Sequence, residues 1–214
     1  MKHEKAKKAP LTDIQRLAQR VEAYRLPSGP FNYAARAQAL NDAQEFFYKI
    51  VREGRQYHAD PKAEAVIESA RRVYEAAQQA AYPAGFWESY RRLCAGDATG
   101  LEAAVTFLEA DPWFPNSGYV KVKLVRHIKV PMLTPSYIMR LQSVILEMVE
   151  RRSGQEFRAY CKLARKVNDV GLREQLRQRA DEGDFDVRRR ARWVLEALAQ
   201  KDTMEAIKRA NDKE

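Results

Sequence analysis

Asp184-Phe-Asp-Val-Arg-Arg-Arg-Ala-Arg-Trp-Val-Leu-Glu-Ala-Leu198 joins a helix start, an apolar stripe and an arginine cluster in one short stretch. Asp184 is a good N-cap residue, because a carboxylate there accepts from amides that have no partner inside the helix. At 100° per residue Val187, Ala191, Val194, Leu195 and Leu198 share one arc, and Arg189, Arg192 and Trp193 fall on the far side. The stretch predicts an amphipathic helix with its apolar arc buried and a cationic, partly aromatic outer face.

Outward from this helix, the same three- and four-residue spacing of apolar residues recurs along nearly the whole chain, while the alternation of a half-buried strand is almost absent. The expected class is all-α. The 214 residues are 45% hydrophobic, enough to fill a real core. Thr12 with Gln15 forms a capping box, and Ile14, Leu17, Val21 and Tyr24 mark the face of the helix it opens. Pro27 and Pro30 close that helix, and a second runs over about 32–52 with Leu40, Ala43, Phe47 and Ile50 on one side and Phe46 beside them. Three pairs of a capping residue followed by proline, Asp60-Pro61, Asp111-Pro112 and Thr134-Pro135, predict three more helix starts. Val66, Ala70, Val73 and Ala77 form the stripe of the first of these. Phe86, Trp87, Tyr90 and Leu93 form a shorter aromatic helix, and Gly96 and Gly100 bracket the next break.

Beyond that break the helices shorten and pair. One hairpin joins 101–108 to 118–129 through the turn at Trp113, a second joins 135–152 to 155–167, and a third joins 172–180 to 185–199, with a last short helix over 203–210 as a cap. The units recur at about 35 residues, a period typical of helical repeats. Asp184, Val187, Arg188, Ala191, Leu195 and Leu198 resemble the second helix of a HEAT repeat, where an aspartate, a valine-arginine pair and an apolar ladder recur. Asp111, Val120, Leu124 and Ile128 echo it in the first hairpin, and the second keeps the apolar spacing alone. The resemblance covers roughly the C-terminal half. It implies helical hairpins stacked as a HEAT-like α-solenoid, preceded by longer N-terminal helices, with Arg188 in the repeat's own ladder to aspartate. The expected division is a mobile basic leader over 1–10, helices over 11–98 and the repeat region over 99–214, the last continuous with the preceding helices as one domain.

Charge is unevenly placed. The net charge is +9, yet residues 1–112 hold 16 Lys/Arg and 15 Asp/Glu, against 22 and 14 in residues 113–214. In the helix after 155, Phe157, Tyr160, Cys161 and Ala164 form the core stripe, and Arg158, Lys162 and Arg165 align beside it, flanked by Lys166. Arg173 and Arg177 pair beside Leu172 and Leu176, and Arg188, Arg189, Arg190 and Arg192 follow. Like charges in rows repel, and rows on successive helices make a track for a polyanion. Trp193, one turn from Arg189 and Arg190, is expected to pack on the terminal helix near Met204 and Ile207, or to offer a stacking face among the arginines.

Familiar chemistry is missing. Cys94 and Cys161 fall on apolar positions without metal or redox spacing, which fits buried free thiols in a reducing cytoplasm. His3, His58 and His127 make no ligand set, and there is no glycine-rich phosphate loop or activated nucleophile. No run reaches the roughly 18 apolar residues of a membrane span. Asp111, with Trp113, Phe114 and Tyr119, forms an unusual turn that caps and staples its hairpin.

No cofactor, metal or catalytic residue is therefore expected. The expected function is a non-enzymatic binding scaffold that recognises an acidic protein surface through Arg158, Lys162, Arg165, Arg173, Arg177, Arg189, Arg192 and Trp193. DNA or RNA binding through the same residues is the alternative. A third is a base-removing enzyme centred on Asp111, since some HEAT-like DNA glycosylases use an aspartate with tryptophans on a basic face.

Overall fold

The computed structural model describes residues 12–57, 60–151, 154 and 156–211, with side chains as far as Met204. The expected basic leader, His3, His58 and the side chain of Ile207 lie outside the described residues. Every regular element among those described is helical. By their contacts the residues separate into two compact units, Met1–Pro83 and Ala84–Glu214.

The first unit holds α1 (Asp13–Ala23), α2 (Tyr33–Gly54) and α3 (Pro61–Ala80). Its helix starts follow the local rules. Thr12 and Gln15 complete the capping box, Asn32 accepts from the Ala35 amide, and Asp60 accepts from the Lys62 amide with Pro61 at the first helical position. Leu17, Val21, Ile50, Val66 and Ala70 form a buried cluster, and Phe46, Phe47 and Val73 pack against it. The Tyr57 hydroxyl donates to Asp13 and Arg20 pairs with Glu53, so polar contacts hold the rim of this cluster.

The second unit holds α4 (Phe86–Cys94), α5 (Leu101–Ala110), α6 (Ser117–Ile128), α7 (Pro135–Arg151), α8 (Phe157–Ala164), α9 (Val170–Glu182) and α10 (Phe185–Asn211). Consecutive helices pair as α5 with α6, α7 with α8 and α9 with α10, the three expected hairpins. Helices two apart also touch: α5, α7 and α9 form one row, and α4, α6, α8 and α10 form another. Each hairpin thus buries its apolar faces against the next. Gly100 sets one of the closest approaches, since a Cβ there would lie 2.3 Å from the Ser89 carbonyl oxygen and 2.7 Å from the Leu93 nitrogen.

Two sequence expectations fail here, each for a local reason. Asp111-Pro112 does not open a helix. Asp111 instead ends α5 in the left-handed region at φ 41°, and α6 starts only at Ser117, after Asn116 at φ 68°. Asp111 and Asn116 tolerate that region better than most residues, and the intervening chain turns the hairpin. The separate cap over 203–210 is also absent, because α10 runs unbroken through Ala199 and Asp202 to Asn211. No proline or glycine interrupts it, so nothing in the local sequence stops helix propagation.

Candidate anion-binding site

The quoted stretch divides its arginines by depth. Val187, Ala191, Val194 and Leu198 are buried, as the arc requires, while Leu195 is only half-buried. Arg190 takes the vacated share of the core. It is 5% exposed, its Nε–H donates to the Val149 carbonyl at 2.5 Å, and its Nη2 donates to the Glu150 carbonyl at 2.9 Å. Those carbonyls lie in the last turn of α7, where backbone acceptors lack helical partners and the helix dipole favours a cation. Arg188, expected in a structural ladder with aspartate, is exposed and makes no ion pair among the described residues. The buried arginine is therefore Arg190, two residues on.

Arg189 stays on the surface, paired with Asp186 at 2.7 Å. Its guanidinium lies 5.2 Å from the Trp193 ring centre and 5.6 Å from that of Phe185, a cation–π arrangement. Trp193 does not pack on the terminal segment, because the continuous α10 carries Met204 away along the helix axis. It meets Phe157 of α8 at 6.0 Å between ring centres and remains 41% exposed.

A groove of about 820 Å³ opens between α8 and α10. Arg158, Lys162 and Arg165 line its α8 wall, and Trp193, Glu196 and Gln200 line its α10 wall. Arg165 is held across it, with Nε–H donating to the Ala197 carbonyl at 2.8 Å and Nη2 to Gln200 at 2.9 Å. A second groove, of about 440 Å³, lies on the other side of Trp193 and Glu196 and includes Arg188, Arg189 and Arg192. A third, of about 170 Å³, lies between α6 and α8 and joins Arg126 and Lys129 to Arg158 and Lys162. The shared residues make one surface along the α6, α8, α10 row. Arg126 and Lys129 were missed in the sequence because they join the charge rows of α8 and α10 only when α6 meets α8.

This surface is electrostatically strained. Among the described residues Arg126, Lys129, Arg158, Lys162 and Arg192 have no acidic partner within ion-pair distance. Burial, together with the charges of Lys162, Arg126 and Arg165, holds the Lys129 amine below the usual lysine range. An anion seated here would relieve that repulsion. Cys161 faces the same groove, and burial pushes its thiol up to about 11, so it is protonated near neutral pH and is no nucleophile. Cys94, expected to be buried, is exposed on α4.

Two of the sequence candidates sit elsewhere. Arg173 and Arg177 belong to α9, in the other row of helices. Arg173 is engaged by Asp202, at 2.8 and 3.0 Å, and by Asn168 at 2.9 Å, while Arg177 is exposed. At the other unusual turn the Asp111 carboxylate is buried against Lys121, whose side chain is 1% exposed. Phe114 packs into the core beside Phe107, whereas Trp113 and Tyr119 remain largely exposed. Among the described residues no cluster of His, Cys, Asp and Glu could hold a metal ion, and no helix is long and apolar enough to cross a membrane.

Compared with protein-family profiles, curated proteins and solved structures, the chain matches none.

Proposed function

We propose that this chain is a non-enzymatic, HEAT-like helical-repeat binding module that docks an anionic partner on the α6, α8, α10 face. The reading rests above all on one observation: Arg126, Lys129, Arg158, Lys162 and Arg192, from three alternate helices, converge on one continuous surface without ion pairs among the described residues. The packing of helices two apart in order supports the repeat part of the reading, since stacked hairpins place corresponding helices side by side. Rows of cations suit a partner with anionic groups in series, and both an acidic protein surface and a nucleic-acid strand provide that.

Titration of the full chain with fluorescently labelled poly-L-glutamate and with heparin, at 50 and 200 mM salt, tests the proposal. Salt-sensitive binding that falls at least tenfold in the R158Q/K162Q double variant is the expected result. Both residues are exposed and lack ion pairs among the described residues, so the variant should keep the wild-type helix content. Absence of binding to either polyanion at 50 mM salt overturns the reading, as does binding that R158Q/K162Q leaves intact.

A further inference from the structure

The α8–α10 groove contains three features that rows of cations do not require. The first is Trp193, supported on one side by Arg189 and at its edge by Phe157, yet 41% exposed between two grooves. An indole held by neighbours but left open to solvent is a preorganised stacking surface, with little rotamer freedom left to lose on binding.

The second is Glu196. It stands three residues after Trp193, hence on the same side of α10, and is the one acidic residue lining either groove among those described. It makes no ion pair with the surrounding arginines among the described residues. A carboxylate in that place repels the acidic side chains of a protein partner. It attracts a ligand that carries N–H donors next to its anionic groups, as a nucleobase does next to its phosphates.

The third is size and exposure. A groove of about 820 Å³ lies in the range of pockets that take a small planar molecule, and a ring can lie on Trp193 only if it is not stacked inside a duplex.

We propose that the partner is a single-stranded nucleic acid, one of whose unpaired bases enters the α8–α10 groove, stacks on Trp193 and presents its Watson–Crick N–H groups to Glu196. The phosphates on either side lie along Arg158 and Lys162, with Arg126 and Lys129 extending the track on α6. Guanine is the preferred base, because its ring N–H and amino group together fit the two oxygens of one carboxylate, whereas the other bases offer a single N–H position there. The inference rests on the proposed anion-binding function and narrows its partner.

Fluorescence anisotropy with the full chain tests it, using a labelled ten-nucleotide thymidine strand, the same strand with one central guanine, the same strand with a central abasic site, a hairpin duplex, and poly-L-glutamate. The guanine strand should bind tightest, about tenfold or more above the abasic strand and the duplex. Trp193→Leu should remove that advantage and leave abasic-strand binding within twofold. Glu196→Gln should lower the preference for guanine over thymine while raising affinity for the abasic strand, since one repelling charge is gone. This second variant, at an exposed position, keeps the test decisive where Trp193→Leu disturbs the fold. Equal binding of guanine and abasic strands overturns the inference, as does tighter binding of duplex. Tighter, R158Q/K162Q-sensitive binding of poly-L-glutamate also overturns it but upholds the broader function in favour of an acidic protein partner. If neither polyanion binds, both proposals fall.

Discussion

Replacing Arg190 by methionine should destabilise the 84–214 unit far more than the same change at the adjacent Arg189. Arg190 donates two charge-assisted hydrogen bonds to the Val149 and Glu150 carbonyls while 5% exposed. At about 1.5 kcal/mol or more per charged hydrogen bond the pair contributes about 3 kcal/mol, and its loss leaves two carbonyls of the α7 C-terminus without donors. Arg189 has one exposed i,i+3 ion pair, of about 0.5 kcal/mol or less, and a surface cation–π contact of about 0.5–1 kcal/mol. Expected losses are therefore about 3 kcal/mol for R190M and below about 1.5 kcal/mol for R189M. At roughly 4 °C per kcal/mol the first lowers Tm by about 12 °C. The three tryptophans, Trp87, Trp113 and Trp193, all lie in the 84–214 unit, so urea titration followed by tryptophan fluorescence reports on that unit alone. A loss below about 1 kcal/mol for R190M, or an equal loss for the two variants, would refute the assignment of Arg190 to the core.

Four further outcomes follow from the same reasoning. Lys121→Met removes the buried ammonium that faces the buried Asp111 carboxylate and should cost about 3–5 kcal/mol in urea unfolding, while adding Asp111→Asn should recover much of that loss. Arg140 pairs with both oxygens of Glu109 at 2.7 Å and with Glu102 at 2.7 Å, and its hydrogen bond holds the Glu102 carboxyl below its usual range. That stabilisation is complete above the unfolded glutamate value of about 4.3 and is lost as pH falls through the lower folded value, so R140M should flatten acid unfolding monitored by fluorescence in that window. Lys129→Gln removes a repelled charge and should raise Tm at neutral pH while weakening polyanion binding. Because the folded Lys129 value is depressed, its penalty is full below that value and gone above the unfolded value of about 10.4, so the Tm difference should close as pH rises towards 10. Gly100→Ala forces a Cβ into backbone atoms of α4 and should cost about 3 kcal/mol by urea titration.

Most helix starts were legible because the forces that set them are local. Thr12 with Gln15, Asn32, Asp60 with Pro61, and Asp184 each satisfy amides within three residues of themselves. The same reasoning failed at Asp111, where a longer-range contact won: its carboxylate turns to Lys121, ten residues away, and the backbone follows into the left-handed region. It failed again after Ala199, where a separate capping helix over 203–210 was expected although α10 continues to Asn211.

The stretch from Asp184 to Leu198 shows where sequence stops deciding. Its periodicity alone determined a helix, its N-cap and an apolar arc, because 3.6 residues per turn fixes which side chains share a face. Leu195 lies at one edge of that arc and Arg190 just beyond the other, so periodicity assigned only Leu195 to the core. Tertiary structure decides otherwise: the unsatisfied carbonyls at the end of α7 draw Arg190 inward and leave Leu195 half-buried. The site follows the same rule. Arg158 and Lys162 were readable as a row on one helix, but their union with Arg126, Lys129, Trp193 and Glu196 exists only because α6, α8 and α10 lie side by side. Spacing along a chain fixes which residues share a helix face, whereas packing of helices two apart in order fixes which faces share a groove.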